Sequence, residues 1–404
     1  MRSTIRVDIL SLLVGLTLLG PGVPGRLQAA GQDELFVSNL APNNSITVYA
    51  RTANGNVGPL RTIKGSFTQL SGPQGLAVDL VNDELCVTNV VPGGEHSVTV
   101  YARTANGNSS PLRSIHGPLT QILFTPHQIA VDALNNELLL TLGGVTGPSR
   151  LVVHARTATG NVAPLRMLEG PDTHLNGPGG LAIDVINNEL LVANFFGNSV
   201  TVYERTANGN VAPIRTLQGS ATGLNEPDGV VVDLLNDELL VTNFGSNAVT
   251  VYARTANGNT APLRTLQGPA TQLAGVEGLA VDLASDELFV ANTHFTSATT
   301  FTSAVTVYER TASGNVAPRR ILEGPATGLR ASGLALPAAP APPLPVALAG
   351  AAILPGSRAV QVGHTATAFA TMLATGPGTA SGCTIAPTNA PAGTTFQYQL
   401  LTYS

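Results

Sequence analysis

Charge and cysteine are both scarce in this chain, and each shortage excludes something. Only 11% of its 404 residues are charged, and the net charge is -5. That balance argues against nucleic acid as a partner, since its binders usually carry a basic patch. Two cysteines, Cys86 and Cys383, lie in different parts of the chain, which argues against a disulfide framework. Cys86 takes a slot filled in equivalent segments by Phe36, Leu139, Leu191, Leu240 and Phe289, so it reads as a small core hydrophobe. No apolar run reaches the roughly 20 residues that span a bilayer, and helical periodicity is missing throughout. Missing too are a serine-hydrolase elbow, a phosphate loop and a His/Cys cluster at zinc spacing.

What the chain has in abundance is repetition. A segment of about 50 residues recurs six times, a period that marks a propeller or solenoid. Its second-strand glutamate stands at Glu34, Glu84, Glu137, Glu189, Glu238 and Glu287. One copy, Gly229 to Leu266, reads as four strands. Val230 to Asp233 is a short apolar run suited to an innermost strand buried on both faces. Glu238 to Thr242 follows a polar turn, and Ala248 to Thr255 alternates with period two. Asn257-Gly258 predicts a tight hairpin with positive φ at both positions, and Pro262 to Leu266 is an outer edge strand.

Four antiparallel strands per radial repeat make a β-propeller blade. The first copy begins at its second strand, Asp33, and the last ends with an innermost strand, Gly333 to Leu336. The two ends therefore complete one blade and close a ring of six. The fold class expected is all-β: a six-bladed β-propeller over residues 31–336, closed by pairing of its terminal strands, followed by a short partial β-sandwich tail.

Outside the ring, residues 1–30 read as a secretory signal: Arg2 and Arg6 precede an apolar stretch, Ile9 to Leu19, and small residues run to Ala30. A secreted or periplasmic product is expected. Residues 337–355 are an Ala/Pro-rich linker, and 356–404 alternate like the opening half of an immunoglobulin-like sandwich, well short of the ~100 residues a whole one takes.

The motif Pro-x-Gly-Leu-Ala-Val-Asp followed by Leu-x-Val-x-Asn, at Pro73 to Asp79 with Leu85 to Asn89 and approximately at Pro178 to Asp184 with Leu190 to Asn194, resembles the NHL-type propellers. That resemblance implies a scaffold, receptor or enzyme alike.

Charges present in every copy read as structural, since a catalytic group need occur only once. Arg51, Arg103, Arg156, Arg205, Arg254 and Arg310 form one such series, and Arg61, Arg113, Arg166, Arg215, Arg264 and Arg320 another. Asp79, Asp132, Asp184, Asp233 and Asp282 cap turns, and Asn39, Asn89, Asn194, Asn243 and Asn292 end strands. Function is sought where copies differ. The connection from second to third strand grows from Asn194–Val202 in the fourth copy to Asn292–Val307 in the sixth, which marks that face for binding. Before the glycine of each innermost strand stand Gln74, His127, Gly179, Asp228, Glu277 and Ser332, converging at the channel mouth. Gln74, His127, Asp228 and Glu277 are the candidate ligand-binding residues, with the acids in neighbouring blades placed to share a proton or a cation. The primary expectation is a non-catalytic binder of a protein, glycan or small molecule, without cofactor. The ring of mouth residues also resembles the gluconolactonase family. That resemblance implies one divalent metal, such as calcium or zinc, held by Asp228 and Glu277, and lactone hydrolysis; Gly179 stands where that family wants an Asn.

Overall fold

A computed structural model describes residues 33–143, 147–295 and 301–337, together with the strands 347–354 and 369–375. The chain divides into two compact units, one of them Ala29–Ala339. The predicted leader lies outside the described residues.

Within that unit, six four-stranded antiparallel sheets follow one plan. The fifth has the strands Pro227–Asp233, Glu238–Asn243, Ala248–Ala253 and Arg264–Leu266, in order from the inside out. Blade one is assembled from both ends: Ala331–Ala335 lies against Glu34–Asn39, with Phe36 opposite Ala335 and Val37 opposite Leu334. The ring is shut as the offset of the repeats requires.

Uninterrupted apolar runs in the second strands follow from burial on both faces. In blade four, Leu190 and Val192 pack with Leu139, Leu151 and Val153 of blade three. Their neighbours Leu191 and Ala193 pack with Leu239 and Val241 of blade five. Successive side chains of a strand point to opposite faces, so one strand feeds two interfaces. Each leucine so buried contributes about 1.5–3 kcal/mol. Cys86 is fully buried among such residues, and burial pushes its thiol up to about 12.

The repeated charges knit blades together. Arg254 pairs with Asp184 of the preceding blade at 2.6 Å and with Asp237 of its own at 2.7 Å. Arg310 does the same with Asp233 at 2.8 Å, and Arg51 carries the link across the closure to Asp282 at 2.9 Å. Blade one has Pro337 where the others have this aspartate, and Arg103 instead reaches Glu34 at 2.8 Å. The second arginine series grips the second-strand glutamates with both nitrogens, as Arg215 holds Glu189. The aspartates also cap turns as expected, Asp233 accepting from the amides of Leu235 and Asn236.

Two expectations are corrected. Asn257-Gly258 is no tight hairpin: only Gly258 has positive φ, +65°, and the connection runs from Ala253 to Arg264. The segment is a clasp. Gly258 forms a parallel bridge with Leu217 of the preceding blade, donating to the Thr216 carbonyl at 2.8 Å. Asn257 and Asn259 accept from the amides of Thr216 and Ala221 of that blade. The sequence matches a hairpin because both uses need a left-handed glycine; which strand it turns toward is a tertiary choice. The long connection of blade six, expected as a loop between Asn292 and Val307, extends the two strands instead, Glu287–Phe295 against Phe301–Glu309. Its Thr and Phe residues suit a strand, so the segment continues a ladder as readily as it ends one.

In the other unit, Ala347–Leu354 pairs antiparallel with Phe369–Thr375. The first of these strands falls within the predicted linker, where an Ala-rich apolar stretch free of proline can still join a ladder. The remainder of the predicted sandwich, Cys383 included, lies outside the described residues.

Candidate functional site

Each innermost strand is bulged at the motif that suggested the site. In blade two, Pro73 lies opposite Asn89 and Leu76 opposite Val87, so Gln74 and Gly75 together face the single residue Thr88. A bulge re-aims side chains, and this one occurs in all six blades. The Thr88 hydroxyl accepts from the Gly75 amide at 2.8 Å and donates to the His127 carbonyl of the next blade at 3.1 Å. Ser38, Thr141 and Thr242 hold the carbonyls of Gln74, Gly179 and Glu277 likewise. In blades two and four the glycine is required by crowding. A Cβ on Gly75 would stand 2.4 Å from the His127 carbonyl oxygen, and one on Gly180 2.5 Å from that of Asp228. Blade three has Gln128 in this position.

The structure brings all six mouth positions together: Gln74, His127, Gly179, Asp228, Glu277 and Ser332 line one cavity of about 380 Å³. Glu277 accepts from Thr293 Oγ1 at 3.1 Å and from the Ser332 hydroxyl. Burial pushes its carboxyl up to about 8; the Asp228 charge adds to this, and the two hydrogen bonds oppose it. Asp228 is raised to about 6 by burial alone. Its carboxylate has no hydrogen-bond partner among the described residues, and it leans over Gly179, where a Cβ would meet Oδ1 at 2.7 Å. The Gln74 Oε1 atom is likewise buried and unpartnered. His127 Nε2 lies 3.3 Å from the Gly143 carbonyl, and burial holds its pKa below the usual imidazole value.

Among the described residues, no three His, Cys, Asp or Glu side chains converge as a metal-binding group. Asp228 and Glu277 line the cavity together, and Gly179 stands at the position where the gluconolactonase resemblance wants an Asn. The asparagines after the second strands face away from ligand work. Each is fully buried, and Asn194, for one, donates to Thr201 at 2.9 Å and accepts from the Asn176 amide.

One wall was not anticipated. Phe195, Phe196 and Phe244 follow the second strands of blades four and five and line the same cavity. Phe195 meets Phe196 edge-on at 5.2 Å between centroids and Phe244 at 5.8 Å. The platform is fixed from below: the amides of Phe195 and Phe244 donate to the Gly177 and Glu226 carbonyls at 2.9 and 3.0 Å. A Cβ on Gly177 would strike the Phe196 ring at 2.4 Å. The signal was available, since equivalent positions after the other second strands hold Leu40, Val90, Gly143 and Thr293, a break in the repeat as plain as that at Asp228.

No protein-family model matches the chain, and no curated protein is similar to it. Solved structures are. A chain of a nidogen/laminin complex is 16% identical, with a TM-score of 0.50 over 74% of this chain and 96% of that one. A periplasmic gluconolactonase from Pseudomonas aeruginosa is 17% identical, with a TM-score of 0.49 over 70% of this chain and 81% of that one. Identities this low speak to fold and to nothing finer. Sheet order, ring closure and the likeness to the nidogen/laminin chain together give residues 33–337 the fold of a six-bladed β-propeller.

Proposed function

We propose that this propeller is a binding module without chemistry of its own, acting outside the cytoplasm and taking its ligand at the channel mouth. One observation carries the reading: Gln74, His127, Gly179, Asp228, Glu277 and Ser332, which occupy one repeat position and differ in chemical type from copy to copy, all line a single cavity. A rigid frame that brings one varying side chain from each repeat to a concave spot is the pattern of a binding surface. The NHL-type motif fits a scaffold of this kind. Screening the full chain by ligand-observed NMR against sugars, polyols, amines and short peptides tests it, with Gly179→Phe as a plugged control. Hits abolished by the plug support the reading. Lactone or ester turnover by the native chain, or a screen without plug-sensitive hits, defeats it.

A second reading is favoured by the unpartnered Asp228 beside Glu277: a metal-dependent lactonase or esterase of the gluconolactonase type. The two carboxylates would hold the ion, and main-chain oxygens or water would have to complete its shell. The ion would polarise the ester carbonyl. Metal analysis of the purified chain and of Asp228→Ala decides it. A stoichiometric calcium or zinc ion lost in the variant, together with turnover, is required.

A further inference from the structure

Resting on the reading of the mouth as a ligand site, we infer that the cavity selects an organic ammonium: a cationic nitrogen seated between Asp228 and the platform of Phe195, Phe196 and Phe244. Three features of the cavity converge on this class.

The first is an imbalance of hydrogen-bonding groups. Asp228 has no partner among the described residues, and Gln74 Oε1 is buried without one. No Lys or Arg is among the described residues lining the cavity. Asp228 is half-buried in the cavity wall without a counter-charge, and a cation entering beside it offsets part of the cost of that partial desolvation. A neutral hydroxyl would satisfy one lone pair and leave the charge uncompensated. An anionic ligand, phosphorylated or carboxylated, would meet two acids and neither Lys nor Arg.

The second is the aromatic wall. A small inorganic cation holds its water tightly and seeks oxygen ligands, so three phenyl rings give it nothing. An alkylated ammonium is weakly hydrated and is attracted to ring faces by about 0.5–2 kcal/mol at a partly dry site. The rings and Asp228 belong to adjoining blades four and five, and Glu277 follows in blade six, so charge and platform occupy one sector of the ring.

The third is size. A trimethylammonium head fills a small part of about 380 Å³. The remaining volume runs toward Gln74 and His127, whose amide and imidazole suit a polar, uncharged remainder. The ligand class is therefore an ammonium-bearing molecule with a hydroxylated or amide tail.

The test compares choline with 3,3-dimethyl-1-butanol, its neutral carbon isostere, by calorimetry or chemical-shift perturbation on the full chain. Choline is expected to bind roughly tenfold or more tightly than the isostere. Asp228→Asn should weaken choline about tenfold, and Phe195→Leu and Phe244→Leu roughly three- to tenfold, each about the size of one cation–π contact or ion pair. Unchanged melting curves keep these losses from being unfolding. Equal binding of choline and the isostere, or choline binding indifferent to the phenylalanine variants, overturns the inference. Plug-sensitive binding of an uncharged sugar in place of choline overturns it while leaving the mouth a ligand site. Absence of any plug-sensitive ligand removes both.

Discussion

Glycine serves two unrelated purposes in this chain, and substitution separates them. Gly258 is needed for its backbone: φ is +65° and nothing lies within 4 Å of an added Cβ. Asn tolerates that conformation, so Gly258→Asn should cost less than about 1 kcal/mol. Gly180 is needed for its missing side chain, because a Cβ would stand 2.5 and 2.6 Å from the Asp228 oxygen and Val230 nitrogen of the next blade. Main chain cannot swing aside, so Gly180→Ala should cost about 1–3 kcal/mol or more, the range for overpacking. Urea melts of the two variants check the order, and a costlier Gly258→Asn would refute it. Glu277 yields a prediction of a different kind. Its carboxyl is ordinary when unfolded and is raised to about 8 in the fold. Between roughly pH 4.5 and 8 the native state therefore keeps a proton that the unfolded chain has lost, and stability drains away as pH rises through that window. Asp228, raised to about 6, adds its own loss over a lower range. Glu277→Gln removes the larger drain. The melting temperature of the variant relative to the native chain should climb steadily from pH 4 to pH 8.5, and a gap that is flat or shrinks with pH would show that Glu277 ionises freely.

At the scale of the element, each blade is joined to the one before it by parts that belong to no strand. Arg254 sits just past the third strand and ties Asp184, fully buried, to Asp237. Arg254→Ala leaves the Asp184 charge enclosed and unpaired, which should cost about 3–5 kcal/mol. The double variant Asp184→Asn, Arg254→Met should recover much of that, because it removes charge and counter-charge together. Denaturant midpoints for the single and double variants measure the difference, and a double variant no better than the single one would mean that packing, not charge, is what Arg254 supplies. The same junctions show where sequence was readable. Strand number, strand order and the structural role of the arginines were legible because periodicity and sixfold recurrence are one-dimensional signals. The mouth residues were legible for the complementary reason, as breaks in that recurrence. The clasp at Asn257-Gly258 was not, since a left-handed glycine declares its φ and not the partner it reaches. The phenylalanine wall was not legible from loop length, the most visible difference on that face, because it is the composition of those loops that carries the chemistry.

For the whole propeller the decisive interaction is between its first and last strands. A propeller with one blade missing its innermost strand has a gap in the ring where every other blade presents a buried interface. Here that strand is Ala331–Ala335. It buries Leu334 and Ala335 to within 8% exposure or less and inserts Gly333 so closely that a Cβ would stand 2.3 Å from the Gln74 carbonyl. Ser38 fixes it on both sides, accepting from the Gly333 amide at 2.8 Å and donating to the Gln74 carbonyl at 2.5 Å. The same strand carries Ser332, the sixth mouth position and a partner of Glu277, so closure and site are one structural event. Two shortened chains separate closure from mere length. A chain stopped after Pro337 keeps the strand and should melt cooperatively near the temperature of the full chain. A chain stopped after Arg330 is only seven residues shorter than that, yet it exposes the edge of Glu34–Asn39 to solvent and to other molecules. It should lose several degrees or fail to melt cooperatively, and it should associate on size-exclusion chromatography. Adding residues 331–337 back as a peptide should restore part of the lost stability, because the vacated edge is a preformed template for strand addition. Indistinguishable melting of the two shortened chains would mean that the ring holds without its clasp, and that the mouth is shaped by five and three-quarter blades alone.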